Sequence, residues 1–277
     1  MKKGVSFFTF SQDVDLREAC EQSAKAGYDG VEPVLSESGS LNMAATEKDL
    51  LSLRRMAEDM GLKICSVGAW NLWENNLAGE DPAAAAHAKD IIKKQIECAA
   101  ILGADAILAV PGWVGTNFAP GVVRYDVAYA NAQKALASLA PFAEQAKVAI
   151  AVENVWNKFL LSPLETKRFL DEIGSPYVGA YFDVGNIIYI GYPDQWIDIL
   201  GPRIKKLHFC DCRAEQAGLG MFVDLFEGSV DFDAVMAAVR RIGYDDWATV
   251  EFLPNYHRFP YQSIINAKLS LDRVLAL

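Results

Sequence analysis

The chain has 277 residues, of which 52% are hydrophobic and 22% charged, and its formal net charge is −10. The length suits one large domain, and the acidic balance argues against a nucleic-acid partner. The sequence has no apolar run long enough for a signal peptide or a membrane span, and its five cysteines lack the spacing of a disulfide framework. We therefore expect a cytoplasmic protein with reduced thiols and no membrane partner.

Strand-like apolar runs recur along the chain, and a helical pattern follows each of them. The predicted strands are Val5–Phe10, Gly30–Leu35, Lys63–Ala69, Ala106–Val110, Val148–Val155, Val178–Val184, Lys205–Cys210 and Trp247–Leu253. The predicted helices lie near 15–26, 46–60, 82–102, 123–146, 163–173, 194–200, 231–242 and 261–276. Such alternation predicts parallel strands joined by crossover helices. The fold class is therefore α/β, and we predict a single (β/α)8 TIM barrel domain over 1–277.

Glycine and proline mark the predicted boundaries. Five glycines come just after a helix and shortly before a strand, where a left-handed helix cap is expected: Gly27, Gly61, Gly103, Gly174 and Gly243. Pro163 and Pro193 stand where helices begin, and proline fits the first turn of a helix.

Side chains alternate between the two faces of a strand, and β/α barrels carry their active sites at the C-terminal strand ends. Four successive predicted strands end their inward-facing series in a residue that can bind a metal: Glu153, Asp183, His208 and Glu251. Carboxylates crowded in this way repel each other unless a cation lies between them. Three carboxylates and one imidazole suit Mn²⁺, Mg²⁺ or Co²⁺ better than a thiolate-rich structural zinc site does. Cys210 and Cys212 lack the second cysteine pair that such a zinc site needs.

The motifs VENVWNKF, YFDVGNII, KKLHFCD, DLFEGSVDF and TVEFLP occur in this order along the chain. They resemble those of sugar and sugar-phosphate isomerases and epimerases in the xylose-isomerase-like superfamily. The resemblance implies one divalent metal ion held by Glu153, Asp183, His208 and Glu251. It also implies that Glu153 and Glu251 are catalytic and flank C2 or C3 of a ketose as acid and base.

Two positions depart from the pattern of the ketose 3-epimerases in this superfamily. Asn186 stands where those enzymes have a histidine, three residues after the metal aspartate. Ala214, next to Arg213, stands where they have an arginine, six residues after the metal histidine. Both positions contact substrate in those relatives. The departures weaken the case for a free-ketose 3-epimerase and leave the metal site unaffected.

Seven residues are candidates for substrate binding because they end predicted strands or lie in the loops that follow: Glu32, Trp113, Trp156, Lys158, Asn186, Arg213 and His257. All of them except Asn186 also have a structural alternative, which for His257 is that of a surface histidine. Glu32 can form a salt bridge or a helix cap, and the tryptophans can simply pack. The loop cations Lys158 and Arg213 can hold a phosphate or remain solvated.

We expect a divalent-metal-dependent isomerase or epimerase of a small ketose or ketose phosphate, acting through a metal-stabilised cis-enediolate. Mn²⁺ is the preferred ion, with Mg²⁺, Co²⁺ and Zn²⁺ as alternatives. An inosose-type dehydratase needs the same metal and base, and a non-catalytic sugar-binding barrel also stays open. An abasic-site endonuclease is disfavoured, because its trinuclear zinc site needs several histidines and this chain has only three. Relatives in the superfamily are often dimers or tetramers, so a homo-oligomer is compatible with the resemblance.

Overall fold

The computed structural model describes residues 1–11, 13–216, 218–251, 256 and 258–277. Over these residues a sheet of parallel strands alternates with helices. Its strands are β1 (Lys2–Ser6), β2 (Gly30–Glu32), β3 (Lys63–Ile64), β4 (Ala106–Ala109), β5 (Ala149–Glu153), β6 (Val178–Asp183), β7 (Ile204–Phe209) and β8 (Trp247–Val250). The helices are α1 (Leu16–Ala26), α2 (Glu47–Asp59), α3 (Pro82–Leu102), α4 (Tyr125–Ala146), α5 (Pro163–Ile173), α6 (Pro193–Leu200), α7 (Phe232–Arg241) and α8 (Gln262–Val274). None of these helices is both long and apolar enough to cross a bilayer.

The strands follow the order β3–β2–β1–β8–β7–β6–β5–β4, and every pairing in this sheet is parallel. On the remaining side, the Leu108 N–H donates to the Val67 carbonyl at 3.0 Å and links the segment after β3 to β4. The predicted (β/α)8 TIM barrel is therefore confirmed. Its C-terminal strand ends all open on the same face, which is where functional residues gather in this fold.

Glycine and proline lie at the helix boundaries where the sequence predicts them. All five glycines expected after helices have positive φ, between 70° and 86°, the region that L side chains disfavour. Pro163 and Pro193 begin α5 and α6, as predicted.

The first three predicted strands end early or are interrupted in the structure. The first ends at Ser6, whose hydroxyl accepts a hydrogen bond from the Phe8 N–H at 3.3 Å and starts a 3-10 helix, Phe7–Thr9. The second is interrupted at Pro33, which has no N–H for the ladder. The chain resumes as Val34–Leu35, which pairs with Gly68–Ala69 in a separate two-stranded parallel sheet. The predicted third strand, Lys63–Ala69, is thus split between β3 and this small sheet.

The eighth strand ends at Val250. The two last residues predicted for it, Phe252 and Leu253, lie outside the described residues.

The two faces of the strands bury different groups. Ile150, Val152, Phe182, Leu207 and Phe209 belong to the main core shared with the helices, as their alternation predicts. A separate small cluster of Leu108, Ala151 and Tyr181 lies on the opposite faces of their strands. Tyr181 shares this face with Asp183, two residues later in β6, as the alternation of side chains along a strand predicts.

The N-terminal end of the barrel is narrow, which yields a stability prediction. A Cβ added at Gly30 would lie 2.6 Å from both the Lys63 carbonyl oxygen and the Trp247 ring. Gly30→Ala should therefore lower the free energy of unfolding by about 1–3 kcal/mol, the usual cost of overpacking, as measured by urea denaturation.

Gly220→Ala is the matched control, because an added Cβ there meets no heavy atom within 4 Å. Equal stability of Gly30→Ala and the wild type would contradict the close packing described for the N-terminal end of the barrel.

Candidate active site

Four residues that can bind a metal meet at the C-terminal end of the barrel. Glu153 and Asp183 are the last residues of β5 and β6, His208 lies in β7 beside Asp183 in the strand register, and Glu251 follows β8. Each offers one ligand atom, and these atoms all lie within 4.8 Å of one another. All four side chains are buried, with at most 5% of any residue exposed. The structure thus brings together the four residues for which the sequence predicts a metal site.

His208 is the centre of this cluster. Its Nδ1 atom lies 3.1 Å from Glu153 Oε1 and 3.2 Å from Glu251 Oε2. Its Nε2 atom faces the other way and lies 3.1 Å from Glu32 Oε1. The Tyr181 ring packs against the imidazole with a centroid distance of 4.2 Å. One ring nitrogen therefore points to the candidate metal ligands, and the other to a carboxylate beneath them.

Asp183 is oriented by its own surroundings. Its Oδ1 atom accepts hydrogen bonds from the N–H groups of Gly185 at 2.8 Å and Asn186 at 2.6 Å. The Cys210 thiol donates to the same oxygen at 3.1 Å. Asn154, directly after Glu153, exchanges two hydrogen bonds with the Asp183 backbone, at 2.8 and 2.9 Å. These contacts fix the aspartate against its neighbouring strands.

Burial and mutual repulsion set the protonation of the cluster. Burial, together with the charge of Glu251, raises the pKa of Glu153 well above its usual value. Burial also raises the pKa of Glu251, to about 7, despite the opposing effect of His208. Although burial alone would lower it, the charges of Glu251 and Glu32 hold the pKa of His208 well above its usual value. In the metal-free protein the cluster therefore retains protons that isolated side chains would lose.

The donor set fits a divalent cation. Three buried carboxylates and an imidazole lie close enough to share one ion, and a positive charge between them would remove the repulsion that raises the pKa values of the glutamates. Binding requires these groups to lose their protons, so protons and the metal compete for the same site.

An open cavity of about 190 Å³ lies over Glu153 and Glu251. Its walls are largely aromatic, and the aromatic lining residues are Phe8, Trp70, Trp73, Phe118, Trp156 and Phe222. Trp156 and Phe222 stack at a centroid distance of 5.1 Å. Among the described residues that line this cavity there is no lysine and no arginine. The cavity therefore offers carboxylates at its base and flat apolar surfaces around them.

The expected substrate contacts divide into two groups. Trp156 and Asn186 line the cavity, whereas Lys158 lines a neighbouring one. Trp113 is 7% exposed and lies outside the cavity lining, so packing accounts for it. Arg213 forms an ion pair with Glu227.

The two remaining candidates are Glu32 and His257. Glu32 is fully buried beneath His208 rather than facing the cavity, which contradicts the expectation that it contacts a sugar hydroxyl. Its carboxylate accepts hydrogen bonds from hydroxyl groups, and although burial would raise the pKa of Glu32, His208 lowers it below the usual value. His257 lies outside the described residues.

Several cavity residues went unrecognised in the sequence. Phe8 and Trp70 come shortly after the first and third strands, so their position at strand ends was an available signal. Phe222 carries no such signal, because it belongs to a short antiparallel pairing of Phe222–Val223 with Asp211–Cys212 inside the loop after β7. Asp211 organises that loop by accepting hydrogen bonds from the backbone N–H groups of Phe226, Gly228 and Val230 at 3.0–3.1 Å.

Comparison with known proteins agrees with this architecture. The sequence model of the family "xylose isomerase-like TIM barrel" matches residues 20–265. A ketose 3-epimerase of Arthrobacter globiformis is 24% identical over 236 residues, covering 83% of this chain and 75% of that protein. An inosose dehydratase of Lacticaseibacillus casei is 28% identical over 127 residues, covering 40% and 43% of the two chains. The solved structure of the IOLI protein with a zinc atom has a TM-score of 0.80 at 21% identity, covering 100% of this chain and 98% of that one.

The raised pKa of Glu251 predicts how stability depends on pH. The folded protein holds this proton more tightly than the unfolded chain, so between the usual value of 4.5 and about 7 the stability of the metal-free protein falls as pH rises, by up to about 3 kcal/mol from this group. The raised pKa of His208 acts in the same direction. A divalent cation should reverse this loss. The difference in Tm between Mn²⁺-loaded and EDTA-treated protein should therefore grow from about pH 5.5 to about pH 8.

Two variants test whether the metal-dependent shift in Tm comes from the four-residue cluster or from the rest of the cavity. Glu251→Gln should remove most of the metal-dependent shift, whereas Glu74→Gln should keep it, because Glu74 lines the cavity outside the cluster. A shift that is absent, or equal at both pH values, would contradict a metal site at these residues.

Proposed function

Because the chain belongs to the xylose isomerase-like TIM barrel family, we propose that it is a divalent-metal-dependent isomerase or epimerase of an uncharged keto sugar. The observation that carries this proposal is the position of Glu153 and Glu251. Both line the aromatic cavity, and both contact Nδ1 of the same histidine. This arrangement offers a cation site and two proton-transferring groups to one small ligand.

Glu153, Asp183, His208 and Glu251 would hold the cation. Their oxygen-rich set favours Mn²⁺, with Mg²⁺ and Co²⁺ as alternatives, and the zinc atom in the similar IOLI structure keeps Zn²⁺ among them. When bound, the cation supplies Lewis-acid stabilisation of the negative charge that develops on substrate oxygens as an α-proton leaves.

The two glutamates would move the proton. Glu153 ends β5 and Glu251 follows β8, and the strand order β8–β7–β6–β5 separates them by three steps around the barrel. Residues placed in this way can reach opposite faces of a ligand between them. One carboxylate takes the α-proton, and the other, as a carboxylic acid, delivers a proton to the opposite face. In the metal-free protein their pKa values are already raised, and such a shift favours acid–base roles near neutral pH.

The charge of the cavity favours a substrate without phosphate. Glu74, Glu153 and Glu251 line it, and the described lining residues include no cation. A phosphate group there would have neither a lysine nor an arginine partner, which such groups normally require. The aromatic walls instead match the apolar C–H faces of a sugar ring.

A dehydratase is the second candidate. It would use the same cation and the same base, but the acid would protonate a departing β-hydroxyl group instead of a carbon atom. The partial similarity to an inosose dehydratase keeps this reaction open, and an inosose is also an uncharged keto sugar.

Replacement of either glutamate tests the proton-transfer proposal. In metal-loaded protein, Glu153→Gln and Glu251→Gln should each lower net turnover at least about 100-fold, the usual contribution of a positioned acid or base. Each variant should still exchange the α-proton of one epimer with D₂O, through the glutamate that remains. Proton NMR on a panel of keto sugars measures both effects.

Metal content must be measured in parallel, because both residues are also proposed ligands. Glu97→Gln is the control and should turn over like the wild type, because Glu97 is exposed on α3 and pairs with Lys94 away from the cavity. Near wild-type turnover in a metal-loaded Glu153→Gln or Glu251→Gln protein would refute the two-glutamate mechanism. An isomerase would show exchange that depends on one glutamate only. A metal-loaded wild type that exchanges no substrate proton would point to a sugar-binding barrel.

The predicted preference for an uncharged substrate is tested by comparing kcat/KM for two substrates. For a ketose and its terminal phosphate assayed side by side, kcat/KM should be at least about 10-fold higher for the unphosphorylated sugar, since one unpaired ionic group costs more than 1.4 kcal/mol. The opposite ratio would mean that a cation outside the described lining, such as Lys158, reaches the ligand.

A further inference from the structure

Glu32 has no role in the mechanism above, although it is one of the most enclosed charged groups in the protein. It is the last residue of β2 and has no exposed surface. It lies on the far side of His208 from the cavity, within 3.1 Å of Nε2. A buried carboxylate is costly unless its oxygens are hydrogen-bonded, so its partners indicate what it does.

The partners of Glu32 come from different parts of the barrel and bind both oxygens of the carboxylate. The Ser6 hydroxyl donates to Oε1 at 2.8 Å, and the Tyr181 hydroxyl donates to Oε2 at 2.8 Å. The Ser66 hydroxyl also donates to Oε2. With His208 these groups fill the acceptor sites of an ionised carboxylate, and each of them is fully buried.

This arrangement limits the hydrogen-bonding state of His208. A carboxylate that accepts from three hydroxyl groups has no proton to donate, so Nε2 must carry the hydrogen of the shared bond. The lone pair of a neutral His208 is then on Nδ1, the nitrogen that faces Glu153 and Glu251. The Tyr181 ring packs on the imidazole, and its hydroxyl is held by the same Glu32, so one carboxylate orients both rings.

We propose that Glu32 is a positioning residue that fixes the tautomer and the orientation of His208, so that Nδ1 is presented to the divalent cation. A carboxylate behind a metal-binding histidine raises the basicity of the imidazole and holds its plane. Glu32 thereby contributes to metal affinity without touching the cation or the substrate. This inference rests on the metal site of the proposed function.

The tautomer can be observed in the wild-type protein by ¹⁵N NMR of histidine-labelled protein loaded with Zn²⁺, which is diamagnetic. The chain has three histidines, so spectra of His87→Gln and His257→Gln leave the His208 signals assigned. The expected result is a protonated Nε2 and a metal-bound Nδ1. A protonated Nδ1, with the metal on Nε2, would overturn the proposal without any variant at Glu32.

The affinity is measured with Glu32→Gln, which keeps the size of the side chain and removes its charge. Competition with a fluorescent chelator should give a 10- to 100-fold weaker Kd for Mn²⁺ and for Zn²⁺, the usual effect of removing a partner behind a metal ligand. Ser66→Ala is the control, because it removes one donor to Glu32 and leaves the bond to His208 in place. It should bind both ions nearly as tightly as the wild type.

The outcomes separate the two proposals. If the wild type binds no divalent cation at this site, the proposed function fails. If the wild type binds the cation and Glu32→Gln binds it equally well, only the positioning role is wrong, and a lower Tm of that variant would then mark Glu32 as a structural residue. If Glu32→Gln does not fold, the wild-type tautomer decides the question.

Discussion

The repulsion between carboxylates buried around one histidine is the constraint on which the rest of this site depends. Glu153, Asp183 and Glu251 converge on His208 where almost no water reaches them, and in such surroundings like charges interact strongly. Burial raises the pKa values of all three carboxyl groups, and neighbouring carboxylates raise those of Glu153 and Glu251 further. Protons or a cation must balance these charges, and this competition links metal binding, stability and pH.

The barrel makes this concentration of charge possible. Adjacent parallel strands place Asp183 beside His208 and Thr249 on the other side of His208, so backbone hydrogen bonds hold the charged ends together. Further down β7, Lys206 points to the opposite end and is paired with Asp105 at 2.7 Å and with Asp246. The hydrophobic core between strands and helices therefore supports two separate ionic clusters, one at each end of the barrel.

The sequence predicted most of this architecture because its signals are local. The alternation of apolar residues located the strands, and Glu153, Asp183 and Glu251 were recognisable because a carboxylate at a strand end is conspicuous in an apolar run. Tyr181 and Ser66 gave no comparable signal, since a hydroxyl group inside a strand is also common in ordinary cores. The environment of Glu32 depends on residues distant in the sequence, such as Tyr181, 149 positions away, and no local pattern reports such contacts. The first strand ends early because the Ser6 hydroxyl accepts a backbone hydrogen bond, and the second because Pro33 has no N–H to donate. The spacing of apolar residues reports neither effect.

The break at Pro33 has a consequence for how this barrel can change its ligand. Directly after Glu32 the chain leaves the main sheet, and Val34–Leu35 and Gly68–Ala69 form a small ladder of their own, leading to Trp70 on the cavity wall. This part of the wall is therefore a small module with its own strand pairing, joined to the main sheet at Pro33 and through the hydrogen bond between Val67 and Leu108. Insertions or substitutions in the module can reshape the cavity while Glu32 and His208 keep their places. A barrel built in this way can change the shape of its cavity without rebuilding its ionic centre.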